Sequence, residues 1–188
     1  MHNPPSDEVL MLRYREGDLS AFEELYRRHS GGLYRFLAWR SPRRDWVDEI
    51  AQDSWTGLHQ ARAQYQPQAS FRTYLYQIAR NRLTDLLRQP QALVADGSAL
   101  DPPEPARQGA DAELEARQRD RALHAAIHAL PAEQKEALIL QQFSGMSLEE
   151  IAALVAAPVE TVKSRLRYAM RKLREHYAAA PSAREEQA

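Results

Sequence analysis

Apolar residues recur along this chain at helical spacing, and glycine is scarce, at 7 of 188 residues. No segment sustains the strict alternation of apolar and polar positions that marks a half-buried strand. Ser20-x-x-Glu23 has the form of a capping box and predicts a helix carrying Phe22, Leu25 and Tyr26. Leu33, Phe36 and Leu37 continue its apolar face beyond Gly31-Gly32. A second helix is predicted from Asp45 to about Arg62, with Val47, Ile50, Ala51, Ser54 and Leu58 on one side and Trp55 at the edge. After the polar loop AQYQPQAS a third helix is predicted from Phe71 to Arg88, with Leu75, Ile78, Ala79 and Leu86 on one side.

Residues 89–112 interrupt this pattern. They hold four of the eleven prolines and four acids against one arginine, the composition of a solvated, flexible linker. Helical periodicity returns at Glu113, breaks at Leu130-Pro131, resumes through Phe143 and turns at Ser144-Gly145. Ser147-x-x-Glu150 is a second capping box, opening a helix whose buried residues are Ile151 and Leu154 and whose small Ala152 permits close helix approach. Pro158 cannot continue that helix and is suited to starting the next, across a turn of about four residues. This is a helix-turn-helix pattern. The turn commonly contains glycine; Ala156 would cost on the order of 1 kcal/mol in a left-handed conformation, so a slightly different turn is predicted. In the following helix Val162, Leu166, Ala169, Met170 and Leu173 form the predicted buried stripe, and Glu160, Lys163, Ser164, Arg167 and Arg171 lie opposite.

The fold class is therefore all-α: two small helical domains joined by a flexible linker, the C-terminal one containing a helix-turn-helix. The predicted division is a tail over 1–7, a helical domain over 8–88, the linker over 89–112, a second domain over 113–177 and a disordered tail over 178–188.

Charge narrows the function. The formal net charge is -1, which argues against a protein that coats polyanions through bulk positive charge. Yet between Val159 and Tyr177 six basic residues face only Glu160 and Glu175. That helix suits phosphate and base-edge contact, and its agreement with the capping box and turn favours this over a merely solvated face. On the second helix Asp45, Asp48, Glu49 and Gln52, with Asp53 beside them, form an acidic face that serves either solubility or docking of a basic protein. The third helix carries Thr73, Gln77, Arg80, Asn81, Thr84 and Arg88 on one side, with Arg72 nearby and Tyr74 and Tyr76 at its edges. Rings beside arginines and amides suit unstacked bases, although each tyrosine could equally pack in the core. Trp39, Trp46 and Trp55 are expected in the core or at a domain interface.

There are no cysteines, which excludes disulfides, thiolate metal sites and a cysteine nucleophile. The start MHNPPSDEV lacks a signal pattern and no run of about 18 apolar residues occurs, so a soluble cytoplasmic protein without membrane insertion is expected. His124 and His128 are spaced i, i+4 on a helix, but without a third ligand no metal site, cofactor or catalytic centre is expected.

Four segments in order, GDLSAFEELYRRH, VDEIAQDSW, FRTYLYQIARNRLTDLLR and LPAEQKEALILQQFSGMSLEEIAALVAAPVETVKSRLRYAMRKL, resemble the extracytoplasmic-function sigma factors of the bacterial sigma-70 family. The resemblance covers roughly 8–88 and 113–177. It implies a promoter-specificity subunit without catalysis of its own that binds core RNA polymerase. By the same resemblance Asp48, Glu49, Gln52 and Asp53 dock on the clamp helices of the polymerase's largest subunit. The loop Gln64–Ser70 and Arg72, Tyr74, Arg80 and Asn81 capture the single-stranded minus 10 element. Lys163, Ser164, Arg167 and Tyr168, with Arg171 on the same basic face, read the minus 35 element as duplex, and the linker threads toward the polymerase cleft. An anti-sigma factor is a possible further partner.

The sequence departs from the family at Tyr74, where Trp is more common, and at Ala156 and Glu160, which replace common glycines. A helix-turn-helix alone also fits a dimeric operator-binding regulator, which predicts self-association and a palindromic site.

Overall fold

The computed structural model describes residues 4–88 and 120–179. The segments expected to form a linker (89–112), the start of a helix (113–119) and the C-terminal tail from 180 onward lie outside the described residues. Every regular element among them is helical.

A helix absent from the sequence expectations, α1 (Asp7–Arg15), begins the fold. Ser6 caps it by accepting the Val9 N–H; acids in its first turn and arginines in its last complement the helix dipole. Asp7, expected in a loose tail, instead pairs with Arg28 at 2.9 Å and the buried His29 at 2.7 Å. Gly17, at φ +101°, makes the turn into α2 (Leu19–Arg40). The cap of α2 is Asp18, not Ser20: its carboxylate accepts the N–H groups of both Ser20 and Ala21. The helix runs unbroken through Gly31 and Gly32.

Helix α3 (Arg44–Ala61) passes through a short 3-10 turn (Arg62–Gln64) into the loop before α4 (Phe71–Leu87). The apolar positions of α3 pack as their spacing predicts, and the fully buried Ser54 hydroxyl is satisfied by the Ile50 carbonyl at 2.6 Å. Phe71, Leu75, Tyr76, Ala79, Leu83 and Leu86 of α4 complete a core with Leu25, Leu33, Phe36, Ile50 and Leu58. Tyr76 is thus a core residue, packed on Phe36 at 5.3 Å between ring centroids.

The C-terminal half comprises α5 (helical residues 120–128), α6 (Ala132–Gln142), α7 (Leu148–Val155) and α8 (Val159–Ala179). The last helix enters the segment expected to be a tail. Both halves of the Ser147/Glu150 capping box are formed. Three residues separate α7 from α8, and Ala156 itself takes the left-handed conformation, φ 52° and ψ 48°. The different turn expected from its Cβ is not adopted; packing of α7 on α8 through Ile151, Leu154, Val162 and Leu166 outweighs a strain of about 1 kcal/mol.

The two halves pack against each other. Trp39, at the end of α2, rests on the rings of His124 (4.8 Å), His128 (5.4 Å) and Phe143 (5.4 Å), which makes it an interface residue. Trp46 and Trp55 are buried within the N-terminal half.

Candidate functional site

The basic face of α8 is held outward by its opposite side. Val162 and Ala169 are fully buried, Leu166 and Leu173 nearly so, and helical spacing then places Lys163, Ser164, Arg167, Tyr168 and Arg171 along one side. Lys163, Arg167, Tyr168 and Arg171 are exposed and Ser164 is half-buried. The Arg171 guanidinium lies over the Tyr168 ring, 4.9 Å from its centroid, which pre-orders both side chains. Glu160 pairs with Lys163 at 2.7 Å, whereas Arg165 turns inward to Glu133 of α6. Met170 departs from the predicted stripe and is 39 % exposed. It lines an open groove of about 470 Å³ with Gln141 of α6, Leu148 of α7, Leu166 and Arg174. Forked guanidinium donors and an ammonium on a protruding helix can contact phosphates and guanine edges in a major groove.

On α4 the four residues singled out for single-strand contact have separate environments. Arg72 donates to the Gly145 carbonyl at 2.6 Å and lies 3.8 Å from Glu150. Arg80 donates to Glu136 at 3.1 Å, and that carboxylate also meets Arg40 at 3.5 Å. Tyr74 is half-buried against Tyr65, edge to face at 5.3 Å, and burial raises its phenol above the ordinary value. Burial likewise pushes the Tyr65 phenol up to about 12. Asn81 is exposed and accepts from Gln77. Arg72 and Arg80 thus share a side of α4 that the C-terminal half engages, whereas Tyr74 turns to Tyr65 and Asn81 stays exposed.

The acidic face of α3 divides in two. Arg82 of α4 holds Asp53 at 2.8 Å and Glu49 at 3.2 Å. Asp48 and Gln52 instead border an open groove of about 820 Å³ floored by Tyr14, Phe22, Tyr26 and Trp55. The Trp55 ring meets Phe22 at 5.8 Å and Tyr26 at 5.0 Å, and Tyr26 remains 48 % exposed. Sequence periodicity places Phe22 and Tyr26 on the apolar face of their helix, and the structure leaves that end of the face open, with Phe22 partly buried and Tyr26 exposed. An aromatic trough with a carboxylate rim suits an amphipathic segment with basic flanks.

Comparison with known proteins matches two separate stretches of the chain. The family model for sigma-70 region 2 matches residues 25–92, and that for sigma-70 region 4 matches residues 120–173. The chain is 31% identical over 178 residues to the RNA polymerase sigma factor NccH of Alcaligenes xylosoxydans xylosoxydans, covering 92% of this chain and 95% of that protein. It is 30% identical over 165 residues to the RNA polymerase sigma factor CarQ of Myxococcus xanthus, covering 88% and 94%. The ECF RNA polymerase sigma-E factor of Haemophilus influenzae is 29% identical over 170 residues, with 86% and 89% covered.

Among solved structures the fold resembles CnrH, determined in complex with the cytosolic domain of CnrY (TM-score 0.70, 24% identity, 94% of this chain and 100% of that one). It also resembles the sigma factor RpoE of Bartonella quintana, determined with the anti-sigma factor NepR (TM-score 0.64, 23% identity, 85% and 98% covered). No helix among the described residues is long and apolar enough to cross a membrane. An operator-binding regulator built on the helix-turn-helix alone is not favoured, since both regions match in family order. The chain belongs to the extracytoplasmic-function sigma factors of the sigma-70 family, the subunits that direct RNA polymerase to promoters.

Proposed function

We propose a division of labour among three surfaces. Asp48 and Gln52, with the aromatic groove of Phe22, Tyr26 and Trp55, dock the clamp helices of the polymerase's largest subunit. Glu49 and Asp53 contribute through Arg82, which fixes α3 against α4. Helix α4 captures the single-stranded minus 10 element through Arg72, Tyr74, Arg80 and Asn81, and α8 reads the minus 35 duplex through Lys163, Ser164, Arg167, Tyr168 and Arg171. The N-terminal domain spans 8–88, the C-terminal domain 113–177, and 89–112 links them across the polymerase cleft. The protein works in the cytoplasm, contributes no chemical step of its own, and is restrained by an anti-sigma factor, by analogy with RpoE of Bartonella quintana, which was solved with one.

The observation that carries this reading is the exposed basic face of α8, set on a capped helix-turn-helix in a chain of net charge -1. So local a positive surface supplies few phosphate contacts, and polymerase must fix the distance between the two domains. Run-off transcription with purified bacterial core polymerase and fragmented host genomic DNA tests it. Start sites that depend on the wild-type protein and are lost with Asp48→Ala, Gln52→Ala support the reading. Tight, specific footprinting by the isolated protein at physiological salt would overturn it.

A further inference from the structure

Glu160 stands in the first turn of α8, at the head of the stripe that it shares by helical spacing with Lys163, Ser164, Arg167 and Arg171. An acid at this place opposes phosphate contact, and its side chain is 79 % exposed, so burial does not account for it. The Lys163 ammonium donates to Glu160 Oε1 at 2.7 Å, and Lys163 is itself exposed. An exposed pair of this kind adds little to stability. It does set an acceptor beside a donor in a fixed arrangement. One shared hydrogen bond also leaves both groups with capacity, because a carboxylate accepts and an ammonium donates several.

Val162 and Leu166 are buried in the domain, so the opposite side of the first turns of α8 projects outward. In a helix-turn-helix the N-terminal residues of the second helix are the ones that reach base edges. There the cytosine amino group is a donor, and guanine O6 and N7 are acceptors. A C·G pair thus offers a donor to Glu160 and, beside it, acceptors to Lys163. Adenine suits the pair less well: its amino group adjoins its own N7 acceptor, which repels the second oxygen of a carboxylate, whereas the cytosine amino group adjoins a C–H.

We propose that Glu160 is a specificity-determining residue: with Lys163 it reads one C·G base pair of the upstream element, its carboxylate accepting from cytosine N4 and the ammonium donating to guanine O6 or N7. The proposal rests on the assignment of α8 to the minus 35 duplex. It adds the base pair that one position of that element must carry.

The test uses the protein with purified bacterial core polymerase and a promoter taken from a start site found by run-off transcription, its upstream element randomised. Templates retained in heparin-resistant complexes are sequenced. Wild type is expected to enrich C·G about tenfold at one upstream position, the lower range of what a good base contact discriminates. Glu160→Gln should move that position to A·T, because a side-chain amide pairs with adenine N6 and N7, and Glu160→Gly should leave it without preference. An acid that only complements the helix dipole or keeps phosphates away predicts a different result: all three proteins choose the same bases, and retention rises or falls uniformly. That result overturns the proposal, as does C·G retained by Glu160→Gln. Arg167→Ala separates the underlying assignment. If it enriches the upstream element as wild type does, the assignment of α8 fails. If it loses the enrichment while Glu160→Gln changes no base, α8 reads the element and Glu160 does not.

Discussion

The Ser70 hydroxyl donates to Glu150 Oε1 at 2.6 Å, while Oε2 of the same carboxylate accepts the Ser147 N–H at 2.8 Å. Ser70 and Ser147 are the caps of α4 and α7, so one side chain bridges the N-termini of helices from different domains. Ser70→Ala removes the acceptor for the Thr73 N–H and should destabilise the protein by about 1 kcal/mol. Chemical denaturation gives the magnitude, and hydrogen exchange should place the loss in the first turn of α4. Unaltered protection at Thr73 would contradict this role.

Ala156 sits at the end of α7 in the left-handed region, where only glycine is free of strain. Ala156→Gly should raise stability by about 0.5–1 kcal/mol, visible as a higher denaturation midpoint with an unchanged slope. A loss of stability would mean that the alanine methyl makes a packing contribution larger than the strain.

The two glycines in α2 are expected to respond differently to alanine. A Cβ at Gly31 would lie 3.7 Å from the Arg35 guanidinium, in ordinary contact, so Gly31→Ala gains up to about 1 kcal/mol of helix propensity. At Gly32 it would lie 3.0 Å from the hydroxyl of Tyr76, a ring wedged in the core beside Phe36. Gly32→Ala should therefore be the less stable of the pair, and thermal melts of the two variants side by side decide it.

Acid should loosen the α1–α2 corner. The Ser20 hydroxyl, and next Arg13, hold the Asp18 carboxyl well below its usual range, at about 2. Arg27, and next Arg28, do the same for Glu24, also at about 2. Both groups are depressed in the folded state, so the unfolded chain binds more protons between their ordinary values and about 2. Their contribution is present above about pH 4.5 and is lost as pH falls toward 2. The melting temperature should drop across that window, and Ser20→Ala should raise the Asp18 titration midpoint seen by NMR.

Much of this organisation is legible locally. Ser147 announces its helix because a cap is a short-range device, and the apolar stripes of α3 and α4 follow directly from spacing. Ser20-x-x-Glu23 misleads because Asp18, two residues earlier, accepts two backbone N–H groups and takes over the cap. Met170 lies on the projected stripe, yet it borders an open groove and stays exposed, which helical spacing alone does not reveal. The pairings least visible in sequence are the long-range ones. Nothing near Glu136 indicates that Arg80 and Arg40 surround it, and nothing near Glu49 or Asp53 points to Arg82. The resemblance placed the nucleic-acid residues by role, but only the fold brings Arg72 and Arg80 against the other domain.

The buried Glu136, set between two arginines, also bears on how promoter engagement responds to ionic strength. If Arg80 captures the strand as proposed, the strand must displace this carboxylate and so exchanges one anion for another at that arginine. Cations condensed on the DNA are released, while the vacated carboxylate recruits some of its own. The fall of strand affinity with added salt should then be shallower than the number of phosphate contacts implies, because part of the counterion balance is already met within the folded protein.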